Sequence, residues 1–213
     1  MRNKREYIEG EIPLILCDLI FFFLFSIQKG KAELRSIAVP NHRMAPLKEE
    51  WTKLVTPLIE HMKLQIRFNT TTKKVELKTS QYTKDLNALQ RGEDYVRAYM
   101  LGFELKDCIA LLRLDELFID SFDVLEVKQT LKGDNLSRAI GRMVGKDGQT
   151  KFAIENTTRT RVVIADRRVH ILGSYNNIRI AKDALMCLVL GSPAAKVYAK
   201  LRTIMGHMKD TNI

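Results

Sequence analysis

Residues 140–164 read IGRMVGKDGQTKFAIENTTRTRVVI, and this stretch decides the fold of the second half of the 213-residue chain. Two short helical segments flank the sequence Gly-Lys-Asp-Gly at 145–148, and a β-branched strand follows them. Glycines turn the chain tightly and leave no side chain between backbone N–H groups and an approaching phosphate. A helix that begins directly after Gly148 turns its free N–H groups and positive dipole end toward the same point. We therefore predict a phosphate-binding loop at 145–148.

The elements around this loop follow a regular order. The second half is predicted to form, in chain order, a strand at 119–128, helices at 136–144 and 150–156, strands at 161–165 and 169–172, and a long helix at 175–190. Phe152 and Ile154 are predicted to face inward from the second of these helices. The first half shows a similar order more loosely, with a helix at 47–64 that Pro57 should kink or split. We interpret the two halves as a divergent duplication of an α+β unit, each sheet covered on one face by helices.

A helix, a G-x-x-G loop, a second helix and a strand in this order resemble a type I KH domain, a module that binds single-stranded nucleic acid. The residues that carry the resemblance are Gly145, Lys146, Asp147, Gly148, Ile154, Thr157, Val162 and Ile164. The resemblance implies the α+β class, with two tandem type I KH-like domains and a C-terminal helix. No glycine occurs between Lys31 and Arg91, so we predict that the first domain is degenerate and lacks a GxxG loop.

The domain boundaries follow from this arrangement. We predict an N-terminal segment at 1–34 that is disordered or outside the core, a degenerate KH-like domain at 35–104, a connector helix at 105–118, a KH domain with the GxxG loop at 119–192, and an amphipathic C-terminal helix at 193–213.

The charge of the chain is concentrated in its last part. The formal net charge is +10, and 46% hydrophobic with 28% charged residues indicates a globular protein rather than a disordered one. Residues 129–213 hold 15 basic and 6 acidic side chains, a net charge of +9, whereas residues 51–128 hold 12 of each. A basic balance favours a polyanion as the partner, so the polyanion site is predicted in the second half.

The candidate RNA-binding residues lie in the loop, on the helices that enter and leave it, and at the strand that follows. They are Arg138, Ile140, Gly141, Arg142, Gly145, Lys146, Asp147, Gly148, Lys151, Arg159, Arg161, Val162 and Ile164. We expect the basic residues to contact phosphates and the apolar ones to contact unstacked bases, although the β-branched residues can equally belong to the core. Lys146 is the strongest candidate because it lies in the loop itself. Asp147 adds a negative charge there, so we expect its side chain to point outward and to weaken phosphate binding by about 1 kcal/mol.

A longer resemblance runs from about Ile37 to Tyr198. The segments that carry it are PLKEEWTKLVTPLIEHMKLQIRFN, RLDELFIDSF, LKGDNLSRAIGRMVGKDGQTKFAIENTTRTRVVIAD and VHILGSYNNIRIAKDA. They resemble the partner-of-NOB (Dim-two) family of KH-domain ribosome-assembly factors. The resemblance implies a role in small-subunit (40S) assembly and 18S rRNA 3′-end maturation. It also implies binding to pre-rRNA near that 3′ end, and association with the D-site endonuclease and other pre-40S assembly factors. The implied location is the nucleus and nucleolus, with the cytoplasm added on late pre-40S particles.

The sequence does not indicate an enzyme. Cys17, Cys108 and Cys187 are far apart and form no Cys/His cluster, so neither a zinc site nor a disulfide framework is predicted. The loop has the wrong spacing for a Walker A nucleotide site, with Asp147 where Ser or Thr should hold magnesium. We therefore expect no catalytic residue, no metal, no cofactor and no small-molecule substrate.

Three other interpretations remain open at this point. The loop could be a glycine-rich helix–helix turn without a ligand. The chain could be a protein-interaction scaffold whose KH folds bind little RNA, which Asp147 and the glycine-free first half favour. It could also be a membrane-associated RNA-binding variant, because residues 14–27 read LILCDLIFFFLFSI. That run is shorter than the roughly 20 residues of a spanning helix and contains Asp18, so we do not expect a membrane anchor.

Overall fold

The structure, a computed structural model, describes residues 33–83 and 87–211. The chain forms two compact units, one up to Glu93 and one from Asp94 onward, and the division falls inside a helix. Both units combine helices with a small antiparallel sheet, which confirms the predicted α+β class. The domain boundaries drawn from the sequence stay predictions. The apolar run at 14–27 lies outside the described residues, and no helix within them is long and apolar enough to cross a membrane.

The first unit contains a three-stranded sheet and the helices around it. Its elements are β1 (Leu34–Ala38), a 3-10 turn (Asn41–Arg43), α1 (Met44–Glu49), α2 (Trp51–Glu60), β2 (Gln65–Asn69), β3 (Lys74–Lys78) and the start of α3 (Ala88–Leu101). The strand order is β1-β3-β2, and both pairings are antiparallel. Alternate residues of β2 and β3 are buried, and the rings of Trp51 and Phe68 lie 6.1 Å apart.

The single helix predicted at 47–64 is two helices in the structure. The helical region is divided at Glu50, where φ is −101° and ψ is 10°, whereas Pro57 lies inside α2 without ending it. Leu54 and Leu58 are fully buried on the inner side of α2. Burial of this apolar stripe therefore outweighs the backbone hydrogen bond that a proline cannot make.

The second unit repeats the order of elements with more helix. Its elements after α3 are α4 (Leu105–Arg113), β4 (Leu117–Asp123), α5 (Val124–Val127), α6 (Asp134–Val144), α7 (Gln149–Thr158), β5 (Arg161–Ala165), β6 (Arg168–Ser174), α8 (Tyr175–Val189) and α9 (Ala194–Thr211). Its strand order, β4-β6-β5, is again first-third-second, so β5 is an edge strand.

The strand predicted at 119–128 is shorter than expected. It ends at Asp123, whose carboxylate accepts a hydrogen bond of 3.0 Å from the backbone N–H of Leu125. A side-chain acceptor at this position caps a helix and satisfies one of its free donors. The four residues that follow therefore form the helical turn α5 instead of continuing the strand.

The pairing register of the second sheet determines where each side chain points. Phe122 pairs with Val169, and Val169 pairs with Ile164; this row faces the helices. The neighbouring row faces the other way, because side chains alternate along a strand. In that row the Ser121 hydroxyl lies 2.7 Å from Nδ1 of His170. The two faces of the sheet therefore have different chemistry.

The C-terminal helix α9 belongs to the core of the second unit. Val197 and Leu201 are buried in the same cluster as Ile154 of α7 and Leu185 of α8. An amphipathic helix buries its apolar stripe against a neighbour, and here that stripe covers the outer side of the α7–α8 layer. The helix thereby fixes the position of α7, which carries the candidate site.

Candidate nucleic-acid interface

The predicted loop at 145–148 joins α6 to α7 in the second unit. Helix α6 ends at Val144, and Gly145 adopts φ 75° and ψ −179°. A tight turn over 146–148 follows before α7 begins, with left-handed backbone angles at Asp147 and Gly148. The N-cap residue of α7 is Gly148, which has no side chain that could cap the helix. The positive end of the α7 dipole therefore faces solvent beside the loop, which is the arrangement that favours an anion.

Gly145 is required by both its backbone angles and its surroundings. A φ of 75° combined with an extended ψ is a region that only glycine adopts readily. A Cβ at this position would also contact Thr150, at 2.8 Å from its Cβ and 2.9 Å from its backbone nitrogen. Thr150 is itself buried in the first turn of α7. The loop thus approaches the helix too closely for any side chain.

The two central loop residues are exposed. Lys146 projects into solvent, as a phosphate contact requires. Asp147 is also exposed, in agreement with the expectation that it points outward, and its φ of 52° lies in the left-handed region. Among residues with a Cβ, Asp and Asn tolerate that region best, because their short side chains bond locally. The aspartate is thus compatible with the shape of the loop while adding a negative charge to it.

Helix α6 presents a mixed surface that leads to the loop. Arg138 and Gly141 are exposed, and open space surrounds Gly141. Ile140 and Ile164 are half-buried and pack against the core, so part of each side chain remains accessible. All four residues are thus at least partly accessible to a ligand.

Val162 requires a correction. It is 1% exposed and lies in the core cluster, so it supports β5 and does not reach a base. Its backbone N–H, on the free edge of the strand, donates a hydrogen bond of 2.7 Å to the buried carboxylate of Glu155. Sequence reasoning missed Glu155, because its partner is a backbone group that no residue pattern displays.

Arg142 is committed to the fold rather than free for phosphate. Its guanidinium donates hydrogen bonds to the carbonyl oxygens of Leu188 (3.0 Å) and Val189 (3.1 Å). These carbonyls lie in the last turn of α8, and that of Leu188 also accepts from the backbone N–H of Gly191 at 3.1 Å. A cation at a helix C-terminus is stabilised by the dipole as well. Arg142 therefore ties α6 to the end of α8.

Two of the remaining basic candidates lie near carboxylates. Lys151 lies 3.8 Å from the carboxylate of Glu155, one turn further along α7. Arg161 lies on the sheet face opposite the helices, and its Nε is 3.1 Å from Oδ1 of Asp107 in α4. Arg159 is exposed at the left-handed residue that ends α7, with φ 52°. Arg159 and Arg161 thus lie at the start of β5, at the far end of α7 from the loop.

The prediction that Phe152 faces inward is wrong. Phe152 is 62% exposed, whereas Ile154 is completely buried as predicted. The two residues are two positions apart and so point to different sides of the helix, and only one of those sides meets the core. An exposed aromatic ring in a basic unit is a candidate for base contact that the sequence did not reveal.

Two acidic residues of β4 form ion pairs with basic residues of the second unit. Asp120 pairs with Lys182 of α8 at 2.7 Å, and Asp123 pairs with Arg167 at 3.0 Å. Within the described part of the chain, no group of three His, Cys, Asp or Glu residues could hold a metal ion.

The second unit matches a family profile described as a eukaryotic type KH domain (type I), over residues 121–206. Two solved structures share the fold. Dim2p from Pyrococcus horikoshii has a TM-score of 0.70 at 25% identity and covers 80% of this chain and 99% of that one. A complex of a/eIF2alpha, aDim2p and rRNA from the same organism has a TM-score of 0.73 at 24% identity, with coverages of 84% and 97%; this likeness shows the fold alone.

Relatives of higher identity extend over most of the chain. The RNA-binding protein pno1 of Dictyostelium discoideum is 60% identical over 178 residues, which are 84% of this chain and 74% of the relative. The pre-rRNA-processing protein PNO1 of Candida albicans is 58% identical over 185 residues, which are 87% of this chain and 67% of the relative. The chain therefore belongs to the PNO1 family of KH-domain pre-rRNA-processing proteins.

Proposed function

We propose that this chain binds pre-rRNA near the 3′ end of the small-subunit rRNA, through the loop at 145–148, during 40S assembly and 18S 3′-end maturation. Its relatives are named as RNA-binding or pre-rRNA-processing proteins, and a structural neighbour was solved in a complex with rRNA. In this role the chain holds RNA and positions or regulates the cleaving endonuclease, while the cleavage itself belongs to that partner.

One observation carries the proposal: the close approach of the loop backbone to the first turn of α7. A Cβ at Gly145 would lie within 3 Å of Thr150, so the backbone itself forms the surface beside the uncapped helix end. A phosphate there meets N–H groups and the dipole, with the Lys146 ammonium beside it. A KH loop of this kind holds the backbone of about four unpaired nucleotides.

The charge distribution supports a polyanion at this unit. Residues 129–213 have a net charge of +9, and the exposed Arg138 and Lys146 lie on the surface that leads to the loop. Phosphate contacts release counterions, so the slope of log affinity against log salt should be about −0.7 per contact with single strands.

The test changes the loop charge without touching the fold. Lys146→Asp should lower the affinity of the full chain for an unpaired RNA oligonucleotide from the small-subunit 3′ region, and should make the salt slope less steep. Lys200→Asp makes the same charge change at an exposed position of α9 and is the matched control. Unchanged RNA binding in Lys146→Asp would show that the loop does not hold a phosphate.

The cellular role is tested separately. In cells whose own copy is replaced by Lys146→Asp, the 3′-extended small-subunit rRNA precursor should accumulate, while the Lys200→Asp cells process it normally. We place the protein in the nucleus and nucleolus, and on late pre-40S particles in the cytoplasm; fluorescence imaging of the tagged protein checks this. Normal processing in the Lys146→Asp cells would contradict a role for the loop in maturation.

A protein-interaction scaffold is the second candidate function. The exposed carboxylate of Asp147 in the loop and the absence of glycine from residues 31–91 favour it. Crosslinking on purified pre-ribosomes distinguishes the two. Crosslinks from the loop to rRNA support the RNA-binding function, and crosslinks only to the endonuclease or other assembly factors support the scaffold.

A further inference from the structure

We propose that the exposed face of α7, together with the cleft at its C-terminal end, binds an additional unpaired nucleotide of the same RNA. This face is formed by Gln149, Phe152, Asn156 and Arg159, and is called the α7 face below. The proposal rests on RNA binding at the loop and extends it to a second site.

Gln149, Phe152 and Asn156 share one side of α7, because a spacing of three or four residues places them one above another. Arg159 follows the last helical residue and lines the same cleft as Asn156. None of the four is buried. The face starts directly after the loop at Gln149 and rises about 15 Å to Arg159. A strand that leaves the loop along α7 therefore meets these side chains in turn.

The chemistry of the α7 face suits an unpaired nucleotide. Phe152 is 62% exposed, so its ring can stack on a base without any rearrangement of the core. The amide of Asn156, one turn later, has a donor pair and an acceptor for the edge of a base. Arg159 then offers a guanidinium to a phosphate.

A cleft of about 370 Å³ opens where the α7 face ends. It lies between α4, the start of β4 and the turn from α7 to β5. Its lining includes Asp107, Ala110, Leu117, Asn156, Arg159 and Leu172. The volume is within the range of pockets that hold small ligands, and apolar side chains lie beside polar ones, as a base and its sugar-phosphate require.

The charges around the cleft favour an anion. Asp107 is paired with Arg161, and the carboxylate of Glu155 accepts from a backbone N–H and lies near Lys151. Arg159 makes no ion pair or side-chain hydrogen bond with any other described residue. Among the described residues, the charge at the cleft that lacks a partner is therefore the positive charge of Arg159. It favours an anionic ligand such as a phosphate over a cation.

The test compares how tightly the full chain binds RNAs of different lengths. Phe152→Ala and Arg159→Asn should each weaken binding of an RNA long enough to extend past the loop. For the lost stacking in Phe152→Ala the loss of affinity should be roughly five- to 150-fold. Binding of a four-nucleotide RNA, which the loop alone accommodates, should be unchanged. Asparagine is chosen at position 159 because it tolerates the left-handed backbone there.

The controls are Tyr175→Ala and Arg179→Asn, which remove an exposed aromatic and an exposed arginine from α8. They should leave binding of both RNAs unchanged. If Phe152→Ala and Arg159→Asn bind the longer RNA as tightly as the wild type does, the α7 face is not a nucleotide site. If the same variants instead lose binding to a glutamate-rich peptide, the cleft is assigned to a protein partner. Failure of the loop proposal would give a different result, because Lys146→Asp would then bind the four-nucleotide RNA as tightly as the wild type does.

Discussion

Replacing Gly145 by alanine tests the geometry on which the phosphate site depends. The glycine combines φ 75° with ψ −179°, a conformation that costs a residue with a Cβ about 1–3 kcal/mol. The added methyl would also lie 2.8 Å from Cβ and 2.9 Å from the nitrogen of Thr150. These two atoms belong to the backbone or are bonded directly to it, so rotation of the threonine side chain cannot relieve the contact. Overpacking of this kind adds a further ~1–3 kcal/mol.

The expected loss of unfolding free energy is therefore ~2–5 kcal/mol, once the smaller conformational freedom of alanine in the unfolded chain is subtracted. Gly148→Ala is the matched control, because Gly148 has φ 76° but no atom within 4 Å of the place that an added methyl would take. It should cost only the left-handed strain of about 1–2 kcal/mol. The difference between the two variants measures the contact with Thr150 together with the extra strain of the extended ψ at Gly145.

Hydrogen exchange of peptides from α6 and α7 is the suitable assay. Trp51, the one tryptophan of the chain, lies in the first unit, so tryptophan fluorescence would not report on the second. Faster exchange in Gly145→Ala than in Gly148→Ala, together with weaker RNA binding, is the expected result. Equal exchange in the two variants would refute the close approach of the loop to α7.

Three further outcomes follow from single side chains of the second unit. Asp147→Asn removes the charge, and asparagine also tolerates the left-handed φ at this position, so the RNA affinity measured by titration should rise, most clearly at low salt. An unchanged affinity would contradict the electrostatic argument. Glu155→Ala leaves a buried backbone N–H of β5 without an acceptor and should cost about 1–3 kcal/mol in urea unfolding; a neutral effect would mean that water replaces the carboxylate. Burial, and secondarily the charge of Arg168, lowers the pKa of His170 below its usual value of 6.5. The unfolded chain therefore takes up the proton first, and the unfolding free energy should fall as the pH drops below 6.5, less steeply in His170→Gln; equal slopes would contradict this.

The loop and the elements around it could be predicted because their determinants are local. Gly145 and Gly148 mark the places where the chain needs positive φ, and alternating or helical apolar spacing indicates strands and helices. Predictions failed where local patterns compete. The strand at β4 ends at Asp123 because a side-chain cap starts a helical turn, and Phe152 is exposed although its neighbour at Ile154 is buried.

The sequence alone determined the α+β class, the position of the GxxG loop and the concentration of positive charge in the second half. Only the tertiary structure decided which of those charges can meet RNA. The guanidinium of Arg142 donates hydrogen bonds to carbonyl oxygens 46 and 47 residues away, and that of Arg161 donates to a carboxylate 54 residues away. A hydrogen-bond partner brought close by folding leaves no mark on the neighbouring sequence, whereas the backbone angles of a loop must be encoded by the residues that adopt them.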